Sequence, residues 1–223
     1  MQERSAARHT LGLPTGRPIV LFVGNPTQVR KGFHIYEAAL RTLQREDDTG
    51  PIRFVVGGNG TVATGGIESA LHDGPIMNRL QHSTANPVKD LGLDGPAIVV
   101  ADLDRALMPA VYGAADVLVH PSLIDNLPTV PIEAGLCGTR CLATNVGGTA
   151  ETIADTNDLF EPDIEAEVLG QRIAEALDAA ASESSGDRDS RRARQLERFS
   201  PDVHRLAILE ALEQLMASVG SHG

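Results

Sequence analysis

Tryptophan is absent from this chain of 223 residues, and aromatic residues amount to only 3 % of it, against 42 % hydrophobic residues overall. The core must therefore be aliphatic, a composition that suits parallel strands buried on both faces. Cysteine is nearly absent. Cys137 and Cys141 lie four residues apart, across a predicted helix end and strand start, and read as reduced core residues rather than a disulfide. No second Cys or His pair at ligand spacing accompanies them, so no metal site is expected. Positive charge is in deficit: 19 Lys and Arg face 30 Asp and Glu, a formal net charge of −11. A sequence-independent nucleic-acid surface needs a basic footprint, so nucleic acid is not an expected partner, although a local basic pocket stays open. No run approaches the roughly 20 apolar residues of a membrane span, and the polar opening MQERSAARHTLGLPTGR has no apolar segment of signal length. No transmembrane segment is expected, and the expected compartment is the cytoplasm. The length suffices to bury a core without disulfide or metal staples.

What is present is an alternation of strand and helix signals. Residues 1–17 read as an incoming linker or short helix. The continuous apolar run from Pro18 to Val23, closed by Gly24, has the signature of a buried parallel strand. Phe33, Tyr36, Leu40 and Leu43 then recur at helical steps. Ile52 to Val56 is a second strand, closed by Gly57-Gly58-Asn59-Gly60, which completes one right-handed crossover unit. Residues 61–96, rich in Gly, Asn, Asp, Pro and His, are expected to be an irregular insertion. Strands follow at Ala97–Ala101, Val117–Val119, Cys141–Thr144 and Leu159–Phe160, with helices at Ala106–Ala114, from Pro128 to Gly138, and from Gly148 to about Ala154. A helix over Ile164–Ala180, a polar break over Ser182–Asp189, and helices over Arg191–Phe199 and Val203–Val219 end the chain. The pattern predicts one α/β domain over 18–223 with terminal helices over 187–219. It is a doubly wound, mostly parallel Rossmann-like sheet with helices on both faces.

In such a sheet ligands bind where strand ends face helix starts, and the free N–H groups of a helix start suit an anion. Gly24, Gly57-Gly58 and Gly147-Gly148 mark three such strand ends. None forms the G-x-G-x-x-G fingerprint, which argues against a dinucleotide cofactor, and no P-loop, metal cluster or serine nucleophile elbow appears. Arg30 and Lys31 precede the first crossover helix, where two cations oppose the dipole unless an anion is bound between them; the alternative is a solvated basic pair. Asp125 is either a helix cap or a cleft carboxylate. Glu133, eight residues on, is the only charge between Asp125 and Arg140. A lone carboxylate in an apolar helix is either costly or useful, and carboxylates accept well from vicinal ribose hydroxyls. Pro128 and Pro131 fall in that helix's first turn, where missing N–H groups cost nothing, leaving the amides near Asn126, Leu127 and Thr129 to face a ligand. His120, at the strand end, reads as a packed residue ahead of a catalyst.

At these residues the chain resembles the C-terminal, nucleotide-sugar-binding domain of retaining glycosyltransferases of the glycogen-synthase-like superfamily, family four. The segments that carry the likeness are PIVLFVG, RKGFHIYEAAL, FVVGGNG, MPAVYGAADVLVHPS and DNLPTVPIEAGLCGTRCLATNVGGTAETI, the last with an acidic-x7-acidic motif, and LERFSPDVHRLAILEAL. The resemblance implies the C-terminal half of a GT-B architecture, a UDP-, GDP- or ADP-sugar as donor substrate, and no separate cofactor or metal. It assigns the catalytic positions to Lys31, Asp125 and Glu133. Lys31 and Arg30 would neutralise the donor diphosphate, and Glu133 would hold the ribose hydroxyls. Asp125 would stand near the donor sugar where the family usually has Glu. Gly24 and the backbone of Asn126, Leu127, Thr129 and Val130 would complete the donor site, and Gly147 and Gly148 would let the next helix pack closely. Two departures stand out. Asn25 occupies the position after the first strand's glycine where the family commonly has Arg, and the loop is one residue longer, so Arg30 is expected to stand in for the lost cation. The acceptor-binding half is missing from the match: either the chain is a fragment, or a separate N-terminal domain or chain is its partner, and this chain alone is expected to be inactive. Two further readings are a nucleotide-sugar-binding subunit without turnover and a nucleotide-sugar epimerase.

Overall fold

A computed structural model describes residues 3–44, 50–57, 63–65, 93, 95–100 and 103–220. Among them lie seven strands: β1 (Ile19–Val23), β2 (Ile52–Val56), β3 (Ala63–Gly65), β4 (Ala97–Val100), β5 (Val117–His120), β6 (Arg140–Thr144) and β7 (Leu159–Phe160). The helices are α1 (Arg4–Leu11), α2 (Phe33–Thr42), α3 (Met108–Ala114), α4 (Thr129–Leu136), α5 (Thr149–Thr152), α6 (Ala166–Ser182), α7 (Ser185–Phe199) and α8 (Pro201–Gly220). The strands form one sheet in the order β3-β4-β2-β1-β5-β6-β7. All neighbours are parallel except β3, which runs antiparallel along β4 at one edge. The expected doubly wound α/β sheet is therefore present.

Strands β1 and β4 read as unbroken apolar runs because both of their faces are covered, while β2 is interrupted by the buried Arg53, which pairs with Glu37 at 2.9 Å. Along β1, Ile19 and Leu21 belong to one core with Phe54, Leu118, Tyr112 and Ala134, while Val20 and Phe22 belong to the opposite core with Tyr36, Val119, Leu142 and Ile173. Helices α1, α3 and α4 supply the first layer, and α2 and α6 the second. Phe22, Phe33 and Tyr36 meet at centroid distances of 5.1–5.7 Å, which gathers three of the few aromatics into one cluster. The Tyr36 hydroxyl, buried with them, donates to the Val20 carbonyl at 2.8 Å.

Three local features add to or differ from the sequence pattern. Within residues 1–17, α1 is part of the core: Ala7 and Leu11 are buried, and the Arg8 guanidinium donates to the Ala114 carbonyl and to the Asp116 carboxylate. The polar stretch 182–189 is mostly helix, since Ser184 and Asp187 form a reciprocal capping box that starts α7 at Ser185. Helix α8 leaves Leu206, Leu209, Leu212 and Leu215 about half exposed or more. The insertion expected over 61–96 lies outside the described residues apart from β3, Leu93 and residues 95–96.

Candidate functional site

From β1 the chain builds outward to β2 and β4, then returns to lay down β5, β6 and β7 on the other side. The strand order thus reverses between β1 and β5. In an open α/β sheet the crevice beyond the strand ends at that point is the natural ligand site. Two loops meet there. The first leaves β1 at Gly24, turns on an Asn25 side chain that accepts from the Thr27 amide and hydroxyl, passes a 3-10 turn over Val29–Lys31 and enters α2 through Gly32. The second runs from Pro121 to Pro128 between β5 and α4. The Arg30 carbonyl accepts from the Leu123 amide at 2.7 Å and from the Ser122 hydroxyl at 3.1 Å, which docks one loop on the other. Gly32 has φ +69°, and a Cβ there would lie 1.7 Å from the Pro121 carbonyl oxygen, so only glycine permits the approach.

That docking brings Lys31 and Asp125 together across 94 residues of sequence, Nζ to Oδ2 at 3.0 Å. The Nε2 of buried His120 stands 3.4 Å from the same oxygen, a close approach without hydrogen-bond geometry. His120, and after it Lys31, hold the Asp125 carboxyl well below the usual carboxylate range against the opposing effect of burial. Both members of the Lys31–Asp125 pair keep about a fifth of their side-chain surface exposed, at 21 % and 18 %. Arg30 sits differently: its carbonyl joins the loops, while its side chain is exposed and has no ion pair among the described residues.

Helix α4 opens at Pro128 with no side chain capping it, so amides of its first turn lack an intrahelical partner. Asn126, Leu127 and Thr129 are exposed around that start, and Val130 is half-buried. One turn further in, Glu133 Oε2 accepts from the buried Tyr112 hydroxyl at 2.6 Å. The carboxylate borders a 310 Å³ cavity whose walls include Arg105, Met108, Pro109 and Tyr112. Asp125 and Glu133 share no contact: the first belongs to the Lys31 cluster and the second to Tyr112. Two further cavities, of 260 and 390 Å³, lie at the opposite edge where strands begin, and arginines on their walls are engaged by Asp158, Glu183 and Asp116.

A family model described as "Glycosyl transferases group 1" matches residues 3–194. The chain belongs to the group 1 glycosyl transferases. Among relatives of this group 1 chain, the D-inositol 3-phosphate glycosyltransferase of Xylanimonas cellulosilytica is 32 % identical over 177 residues, which are 77 % of this chain and 38 % of that protein. The 2-deoxystreptamine N-acetyl-D-glucosaminyltransferase of Streptomyces fradiae is 30 % identical over 75 % of this chain and 36 % of its own length. Among solved structures, the sucrose-phosphate synthase of Thermosynechococcus elongatus superposes with a TM-score of 0.70 at 27 % identity, covering 96 % of this chain and 49 % of that one. Anabaena Alr3699/HepE in complex with UDP-glucose has the same fold, with a TM-score of 0.64 at 20 % identity over 95 % of this chain and 52 % of that one. The chain spans about a third of the curated relatives it matches and about half of these structures.

Two features of the candidate site escaped sequence reasoning. Gly147 and Gly148 were expected to serve the packing of the following helix, but their closest approach is to the site loop. A Cβ on Gly147, which has φ +52°, would lie 1.9 Å from the Asp125 carbonyl oxygen, and one on Gly148 would lie 2.0 Å from that of Asn126. The other is Tyr112. Its only advance signal is general: a buried tyrosine hydroxyl needs a partner. His120, read as a packed residue, is packed and also faces Asp125.

Proposed function

We propose that this chain is the donor-binding half of a retaining glycosyltransferase that takes a nucleoside-diphosphate sugar. The observation that carries the reading is the Lys31 ammonium, held at the strand-order reversal by Asp125 of the loop that leads into α4's uncapped start. A cation and a row of free amides form a fitting cradle for a diphosphate. Glu133, one turn along α4 beside a cavity, is placed to accept from ribose hydroxyls. Asp125, beside Lys31, would face the sugar at its junction with the diphosphate. In the reaction Lys31 and the helix start would stabilise the charge on the leaving diphosphate, a term that often dominates such catalysis, and no divalent cation is needed for that role.

The test compares Lys31→Ala with the parent chain by calorimetry. UDP, GDP and ADP are titrated alongside uridine, guanosine and adenosine, with and without EDTA. Loss of one charge-assisted contact to phosphate should weaken the preferred diphosphate about tenfold or more and leave its nucleoside unchanged. EDTA should change neither affinity. Equal losses for nucleotide and nucleoside would remove Lys31 from the phosphate site.

The chain spans only about half of its solved relatives, so transfer is tested with an acceptor-binding half supplied. Transfer supports the enzyme, and absence of transfer leaves nucleotide-sugar binding without turnover. Proton NMR of the product reads the anomeric configuration, and an inverted product excludes retention.

A further inference from the structure

We infer that Tyr112 is a positioning residue for the donor's ribose, acting through Glu133; this rests on the donor reading above. Tyr112 is a rigid support. Its ring is 2 % exposed within the core beneath α3, and its own carbonyl accepts from the Thr139 hydroxyl at 2.7 Å, which ties the end of α3 to the start of β6. Burial, with the neighbouring Glu133 carboxylate, raises its phenol far above the ordinary tyrosine range, so the group stays protonated and keeps donating.

Glu133 needs such a support. It is half-buried, and a free glutamate would lose side-chain entropy on ordering around a ligand. The Tyr112 hydroxyl takes one lone pair of Oε2 at 2.6 Å. Oε1 has no hydrogen-bond partner among the described residues, and Glu133 borders the cavity with Tyr112. One oxygen is thus anchored and the other left to accept. A vicinal diol offers two hydroxyl donors to a carboxylate held in this way, and the phenol supplies the orientation before the ligand arrives.

The experiment measures the affinity of the parent chain, Tyr112→Phe, Glu133→Ala and the double variant. The probes are whichever of UDP, GDP and ADP binds best and its 2′-deoxy counterpart. Tyr112→Phe keeps the ring and its packing, and circular dichroism and thermal unfolding check that each variant is folded. The expected result is a loss of about three- to tenfold for the ribonucleotide in Tyr112→Phe, with the deoxynucleotide almost unchanged. Adding Tyr112→Phe to Glu133→Ala should then cost nothing more. Equal weakening of both sugars, no change in Tyr112→Phe, or additive losses in the double variant would overturn the inference. A parent chain that binds the diphosphates without preferring ribose removes the role of Tyr112 and leaves the donor reading standing. A parent chain that binds none of the three removes both.

Discussion

Lys31 and Asp125 neutralise one another across the mouth of the candidate site, so a diphosphate bound there as proposed would meet a cation that already has a carboxylate neighbour. The carboxylate competes with the ligand for the ammonium. Asp125→Asn is therefore expected to tighten nucleoside-diphosphate binding about two- to fivefold at low ionic strength, the range of a partly exposed pair, and the gain should shrink as salt rises. Calorimetry at two salt concentrations checks it; weaker binding in Asp125→Asn would mean that the carboxylate helps to hold the ligand. The pair also has a pH signature. The Asp125 carboxyl titrates lower in the folded chain than in the unfolded one. Its stabilising contribution is therefore complete above the unfolded carboxyl value of about 4 and is lost only as acid carries the pH down toward the folded value. Neutral pH leaves the pair intact.

At the scale of elements, the strands were legible because β1 and β4 are covered on both faces and carry apolar residues without alternation, and β2 does so apart from Arg53. The start of α7 was hidden by polarity. Ser182 to Asp189 reads as a break, although Ser184 and Asp187 stand at capping-box spacing and decide the local structure. The site was legible as a list of residues but not as pairs. Lys31 and Asp125, or Tyr112 and Glu133, are joined by strand order and loop docking, and neither leaves a mark in local sequence. The docking itself depends on Gly32. Gly32→Ala places a Cβ against the Pro121 carbonyl and strains a left-handed residue, so it should lower unfolding stability by at least about 2 kcal/mol. Urea unfolding measures it, and a cost near zero would show that the two loops part easily.

For the whole molecule, the organising charge is Asp116 at the opposite edge of the sheet. It accepts from Arg8 and from the Ile19 amide and pairs with Arg4 at 3.0 Å, joining α1 to the starts of β1 and β5. Arg4 continues to Glu183, which Arg191 also engages, so the network reaches the junction of α6 and α7. Asp116→Ala would leave the buried Arg8 guanidinium without its carboxylate. Removal of one partner from a buried pair typically costs about 3–5 kcal/mol, and urea unfolding should register a loss of that order. A change below about 1 kcal/mol, the range of surface pairs, would mean that the carbonyls around Arg8 suffice.

The glycine contacts carry a consequence for how such a chain diversifies. At Gly32 against Pro121, Gly57 against Gly24, and Gly147-Gly148 against Asp125-Asn126, main chain rests on main chain. The outline of the crevice is thus set by atoms that every amino acid shares. Asn126, Leu127 and Thr129 project from that frame into solvent and bear little of its weight. In the proposed donor site, substitutions at those three positions would alter which sugar is recognised at small thermodynamic risk, whereas a side chain at the glycines would clash with main chain. A lineage built on this chain would keep its glycines and change its exposed loop residues.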